Sequence, residues 1–164
     1  MFFKLKSYLN YIIRSTNEHD VHSPFVFNYL TKCLYKKPMH AKDKMFDILI
    51  KSMVYFSVKR IKVIGNSDYL AKVIEKHQDI KQGPPTDLIY FEHPPKDMVQ
   101  MFTEDEMHNN SLILVNHIRS QPIAYTHWLE LVRHEAVTVS MDFFSCGALF
   151  LRKEQEKQHF TIRI

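Results

Sequence analysis

The chain has 164 residues, of which 45% are hydrophobic and 24% are charged, so its composition excludes a disordered chain and its length favours one domain. Only three glycines are present, Gly65, Gly83 and Gly147, which excludes a glycine-rich phosphate-binding loop. The formal net charge is +4, and much of the basic excess lies before residue 65. We interpret that excess as the solvated faces of helices, because no nucleic-acid-binding motif accompanies it; nucleic acid or an anionic membrane is the alternative.

The first predicted helix covers residues 2–14. Its apolar residues Phe2, Leu5, Leu9 and Ile12 recur at spacings of three and four, which is typical of an amphipathic helix. We expect this stripe to pack on the chain's own core. The alternative is an amphipathic basic helix lying on a membrane surface.

Two further helices are predicted before residue 58. Ser23-Pro24 is a typical helix start, because serine caps the first turn and proline suits the first helical position. A third helix is expected over residues 42–56. The residues expected to be buried in these two helices are Val26, Tyr29, Leu30, Cys33 and Leu34, then Met45, Ile48, Leu49, Met53 and Phe56.

From residue 59 the pattern changes to short apolar runs alternating with helices. The runs at 61–64, 88–91 and 111–115 predict strands of a parallel sheet that is covered on both faces. A helix is expected after each of these runs, and Ser67 is expected to cap the first of them. Residues 81–86 are predicted to form a loop. The runs at 137–141 and 148–151 flank a turn and predict an antiparallel hairpin.

These elements predict an α/β fold with a five-stranded mixed sheet that ends in the hairpin. We expect a single domain over residues 1–164, with a helical N-terminal lobe at 1–58 and an α/β core at 59–164. The two cysteines, Cys33 and Cys146, lie far apart and form no CxxC motif, which favours a reducing compartment. Because the N-terminus lacks a signal-peptide core, we expect a cytoplasmic protein.

A candidate site follows from the rule that ligands bind outside the carboxyl ends of strands in open α/β sheets. Three dipeptides directly follow the apolar runs: Gly65-Asn66, Glu92-His93 and Asn116-His117. Two histidines, a carboxylate and two amides would form a polar site in which His117 acts as a base. The spacing is too wide to predict a metal site, and ordinary polar capping loops are the plain alternative.

Both ends of the chain resemble a group of predicted class I S-adenosylmethionine-dependent O-methyltransferases of Bacteroidetes-type bacteria. The resemblance is carried by residues 15–27, by the helix with Pro122 and Trp128, and by residues 137–163. It implies a reduced Rossmann-like methyltransferase fold. In the N-terminal signature, Asp20 stands where the group usually has glycine.

The resemblance also implies which residues would serve a methyltransferase site. The cofactor would be bound by Gly65, Asn66 and Ser67, which follow the run at 61–64, and by Glu92-His93, which follow the run at 88–91. The catalytic residues would be Asn116 and His117.

The chain departs from the family pattern at these positions. One glycine stands where two or three are expected, and Glu92-His93 and Asn116-His117 replace acidic pairs. Only about 22 residues separate Ile64 from Asp87, too few for the usual second and third strands, so the ribose-binding acid has no counterpart.

These departures lead to two hypotheses about function. The first is a catalytically inactive, methyltransferase-like module that binds a partner or dimerises through the sheet edge that the missing strands expose. The second is an active small-molecule O-methyltransferase with an atypical site and His117 as its base.

Overall fold

The computed structural model describes residues 2–66, 68–76, 80–96, 102 and 106–164 of the chain. Within them the helices are α1 (Phe2–Arg14), α2 (Pro24–Tyr29), α3 (Lys44–Tyr55), α4 (Asp68–Lys76) and α5 (Pro122–Arg133). The strands are β1 (Arg60–Ile64), β2 (Lys81–Gln82), β3 (Thr86–Phe91), β4 (Met107–Val115), β5 (Val139–Asp142), β6 (Gly147–Phe150) and β7 (Gln158–Thr161). A single π-helical turn, Leu30–Leu34, extends α2.

The described strands form one mixed sheet in the order β2-β1-β3-β4-β6-β5-β7. β6 runs antiparallel to both β4 and β5, and the other neighbouring strands are parallel. The predicted α/β class and the C-terminal hairpin are therefore confirmed. The sheet has seven strands where five were predicted, because β2 and β7 add an edge strand at each side.

Helices cover the sheet on both faces, as the apolar strands predict. Along β3, Leu88 and Tyr90 point into one core with residues of α2, α3 and α4, whereas Ile89 and Phe91 point into a second core. The second core is built on α5, whose Trp128 is completely buried. This alternation follows from the two-residue repeat of a strand.

The local signals that begin the second and third helices work as expected. Ser23 accepts a hydrogen bond from the Val26 backbone N–H at 3.4 Å, and Pro24 takes the first helical position. Asp43 caps α3 in the same way, accepting from the Met45 and Phe46 N–H groups. The predicted helix cap Ser67 lies outside the described residues, as does most of the helix expected over residues 96–102.

The orientation predicted for α1 is wrong. Phe2, Leu5 and Leu9, expected in the core, are 87%, 59% and 55% exposed. The helix packs instead through Tyr11, whose hydroxyl donates a 2.5 Å hydrogen bond to the carbonyl of Ile162. The helix is therefore held through Tyr11, while its apolar stripe remains exposed.

The two sheet edges also differ from expectation. β2 covers part of the edge beside β1, because it pairs with Arg60 and Ile61. The N-terminal segment covers the opposite edge, where Thr16 forms a parallel bridge with Ile162. Among the described residues, the outer side of positions 62–64 has no strand neighbour.

Candidate functional site

The three predicted dipeptides do meet at one edge of the sheet. In the register of the strands, Ile64 lies beside Phe91, and Phe91 lies beside Val115, so the residues that follow them are neighbours. The Glu92 N–H donates to the Ile64 carbonyl at 3.0 Å, and the Asn116 N–H donates to the Phe91 carbonyl at 2.8 Å. The ladder therefore continues one residue past the strands and fixes the backbone of the site.

Five side chains at this edge, which we call the strand-end cluster, are linked to one another: Tyr90, Glu92, His93, Asn116 and His117. The Glu92 carboxylate accepts from the Tyr90 hydroxyl at 2.7 Å and lies 3.1 Å from His117 Nε2. The Asn116 amide donates to the Tyr90 oxygen at 3.2 Å. The His93 and His117 rings stack at a centroid distance of 5.1 Å.

Tyr90 is the completely buried member of the strand-end cluster. Burial together with the neighbouring Glu92 carboxylate raises the pKa of its hydroxyl above the usual range. Tyr90 therefore stays protonated and donates to Glu92. One oxygen of Glu92 is held by a buried donor, while the other faces the exposed imidazole of His117.

His117 is held in an uncommon backbone conformation. Its φ is +52°, a left-handed value that non-glycine residues rarely adopt. The Asn116 side chain accepts from the His117 N–H at 2.9 Å, which stabilises the turn. The His117 side chain remains 48% exposed. The turn thus presents an imidazole to solvent beside a carboxylate, an arrangement suited to proton transfer.

Gly65 is required by the close approach of Glu92. A Cβ built on Gly65 would lie 2.4 Å from the Glu92 Cβ, and the glycine has φ +135°. Both the space and the conformation exclude a larger residue. Asn66 is exposed beside it, and Ser67, the third predicted member of this turn, lies outside the described residues.

The side chains of the strand-end cluster can exchange hydrogen bonds and protons with one another and with solvent. Among the residues that the structure describes, no group of three or more His, Cys, Asp or Glu side chains is placed to hold a metal ion. Four clefts of about 270 to 440 Å³ are lined by described residues, and none of the four includes Gly65, Glu92 or His117.

A second polar group at the same edge was missed by the sequence reasoning. Arg119 follows β4, and Asp142 ends β5; their side chains form two hydrogen bonds of 2.6 Å each. The guanidinium also lies 4.3 Å from the centre of the Tyr125 ring. Asp142 follows the apolar run of a strand, so the strand-end rule that identified Glu92 could also have identified this carboxylate.

A cleft of about 440 Å³ opens beside this pair. Its wall includes Tyr11, Arg14, Tyr125, Arg133 and His159 in addition to the pair itself. Arg119 and Asp142 neutralise each other, so the cleft is basic through Arg14 and Arg133.

Comparison with known proteins finds no matching family model, no matching curated protein and no matching solved structure.

Proposed function

We propose that the chain is a methyltransferase-like domain that does not bind S-adenosylmethionine and acts as a binding or dimerising module. The resemblance at both ends of the chain supports the ancestry. The mostly parallel sheet with the antiparallel strand β6 supports the reduced Rossmann-like fold that the resemblance implies. The proposal on activity depends on the strand-end cluster.

The packing of Glu92 on Gly65 is the observation that carries the proposal. A cofactor that binds at a glycine turn needs direct access to the backbone of that turn. Here the Glu92 Cβ occupies the position beside Gly65, at 2.4 Å from where a Cβ on that glycine would lie. We therefore assign Gly65, an exposed residue, to contact between two segments of the chain.

The hydrogen bonding of the cluster supports the same proposal. Glu92 is engaged by Tyr90 on one oxygen and by His117 on the other. A ligand that takes the place of Tyr90 on the Glu92 carboxylate would break the bond from Tyr90, and each hydrogen bond to a charged group contributes roughly 1.5 to 3 kcal/mol. A ligand would have to replace these bonds before gaining any affinity.

Calorimetric titration of the whole chain with S-adenosylmethionine tests the proposal. We expect no saturable heat at ligand concentrations up to roughly 1 mM, where a 1 mM dissociation constant corresponds to about −4.1 kcal/mol. An active class I methyltransferase titrated with the same ligand stock serves as the positive control. Micromolar binding by this chain would contradict the proposal.

Dimerisation through the sheet edge is the second part of the proposal. The outer side of β1 at residues 62–64 lacks a strand neighbour among the described residues, and such an edge favours pairing. We expect sedimentation velocity to give twice the monomer mass of 19.6 kDa at micromolar concentration. A monomer throughout the concentration range would leave partner binding as the module's role.

An active O-methyltransferase is the second candidate, and the His117–Glu92 pair favours it. A carboxylate 3.1 Å from an exposed imidazole orients the ring and supports it as a general base. This candidate predicts transfer of labelled methyl groups to small phenols, abolished in His117→Gln and reduced in Glu92→Gln. Equal activity of the wild type and His117→Gln would exclude His117 as the base.

A further inference from the structure

The outward face of α1 carries an apolar stripe, which we call the outer stripe: Phe2, Leu5, Leu9 and Ile13. These four side chains are between 55% and 87% exposed. Their spacing of three, four and four residues places them along one side of the helix. Exposed apolar residues are common singly, but a continuous stripe of large ones marks an interaction surface.

Contacts on the opposite side of α1 prevent the helix from rotating to bury this stripe. The Tyr11 hydroxyl donates to the Ile162 carbonyl at 2.5 Å, and the Tyr11 ring lies 5.3 Å from the Phe144 ring. Near the start of the helix, the Phe3 ring lies 6.4 Å from the ring of Tyr125 on α5. The outer stripe is therefore presented to solvent by a helix fixed at both ends.

Charge identifies the occupant of this face. α1 contains no acidic residue, and its charged side chains are Lys4, Lys6 and Arg14. None of the three forms an ion pair with a residue that the structure describes. A second copy of α1 packed on the outer stripe would bring together two helices whose charged side chains are all positive, with Lys6 next to the contact, which disfavours a symmetric pair of these helices. An anionic surface complements the same charges.

We propose that α1 lies in the interface of an anionic lipid bilayer, with the outer stripe at the acyl boundary and Lys6, which borders the stripe, among the headgroups. A large apolar face bordered by a basic side chain is typical of helices that lie in the plane of a membrane. No helix within the described residues is long and apolar enough to cross one. α1 contacts Tyr125, Phe144 and Ile162, none of which belongs to the strand-end cluster, so this proposal is independent of the proposed function.

Flotation of the full chain with lipid vesicles tests the proposal. The two probes are phosphatidylcholine vesicles and vesicles of about three parts phosphatidylcholine to one part phosphatidylglycerol. We expect binding at least about tenfold tighter to the anionic vesicles, and we expect it to weaken as the salt concentration rises. Absence of binding to the anionic vesicles would overturn the proposal.

Substitutions in the outer stripe test whether vesicle binding depends on this surface or on any exposed apolar side chain. Leu9→Gln with Ile13→Gln removes two exposed apolar side chains at little cost in helix propensity, and we expect at least about tenfold weaker vesicle binding. The matched control is Val54→Gln on α3, which removes a 68% exposed apolar side chain elsewhere and leaves binding unchanged. Lys6→Gln should weaken binding about fivefold, on anionic vesicles only.

Two further outcomes would overturn the proposal. One is equal vesicle binding by the wild type and the Leu9→Gln, Ile13→Gln variant, with circular dichroism showing that both are folded. The other is a dimer of the wild type that this variant converts to a monomer, since a second copy of the chain would then cover the outer stripe.

Discussion

Two polar pairs lie at the same edge of the sheet, yet their surroundings differ. The side chains of Arg119 and Asp142 are 6% and 2% exposed and share two hydrogen bonds of 2.6 Å. The side chains of His117 and Glu92 are 48% and 22% exposed and meet at 3.1 Å. The first pair is almost completely buried at the wall of a cleft, and the second is accessible to solvent. Two pairs at neighbouring strand ends therefore differ in how far solvent reaches their side chains.

The buried pair joins two loops. Arg119 also donates to the Phe144 carbonyl at 2.9 Å, and Asp142 accepts from the Phe144 N–H at 2.8 Å. The loop after β4 is thereby tied to the turn between β5 and β6. The exposed pair joins only neighbouring strand ends that the ladder already holds together.

The largest predicted effect comes from breaking the buried pair. Asp142→Ala leaves the Arg119 guanidinium buried without its partner, which should lower the free energy of unfolding by about 3 to 5 kcal/mol. Urea denaturation monitored by Trp128 fluorescence measures the loss. A loss below about 1 kcal/mol would show that the two pairs do not differ as their burial indicates.

The next largest effect concerns the turn at Gly65, which contacts Glu92 of the exposed pair. Gly65→Ala should lower the free energy of unfolding by about 2 to 3 kcal/mol, because the new methyl group meets Glu92 and the backbone has φ +135°. Gly83→Ala is the matched control: it has φ +116° but no heavy atom within 4 Å of the added Cβ. Equal losses in the two variants would mean that Glu92 does not press on Gly65.

A smaller effect should depend on pH. Burial opposes ionisation of Asp87, but hydrogen bonds from His108 and from the Lys59 and Arg60 N–H groups outweigh it and lower the pKa of the carboxyl. A lowered pKa stabilises the fold above the unfolded-state value, and this stabilisation is lost as the pH falls through the native pKa. Asp87→Asn should therefore cost about 1 to 2 kcal/mol at neutral pH and less in acid. Urea denaturation at neutral pH and at a pH below the native pKa of Asp87 checks this. A cost that is the same at the two pH values would contradict it.

The smallest effect should come from the exposed pair. Glu92→Gln keeps an acceptor for Tyr90 and changes only a partly exposed contact with His117 Nε2, so the free energy of unfolding should change by less than about 1 kcal/mol. Chemical denaturation beside the wild type measures this change. A loss as large as that of Asp142→Ala would make the strand-end cluster structural rather than accessible.

The sequence predicted the strands that contain apolar runs and failed where polar residues form structure. The runs at 88–91 and 111–115 lie within β3 and β4, because burial on both faces requires continuous apolar residues. β2 consists of Lys81 and Gln82 and carries no apolar signal, so the sequence favours a loop there.

Helical periodicity likewise predicted α1 but not its orientation. A stripe at helical spacing shows that a helix has an apolar side, and it does not show what covers that side. The side of α1 that contacts the protein is set by the hydrogen bond of the Tyr11 hydroxyl and by contacts with rings that are distant in sequence. Convergence of the three dipeptides was predictable, because parallel strands end at the same edge. The contact between Glu92 and Gly65 was not, since it depends on the backbone geometry of two turns.

We propose that Glu92, packed on Gly65, denies S-adenosylmethionine the backbone contact that a glycine turn would offer. Thermal unfolding of the whole chain with and without 1 mM cofactor, a concentration of roughly 100 times a 10 μM dissociation constant, tests it most directly. Binding of that strength would stabilise the fold by about 2.7 kcal/mol and raise Tm by roughly 5 °C or more. If Glu92 blocks that contact, the cofactor should change Tm by less than about 1 °C. A rise in Tm of roughly 5 °C would contradict this.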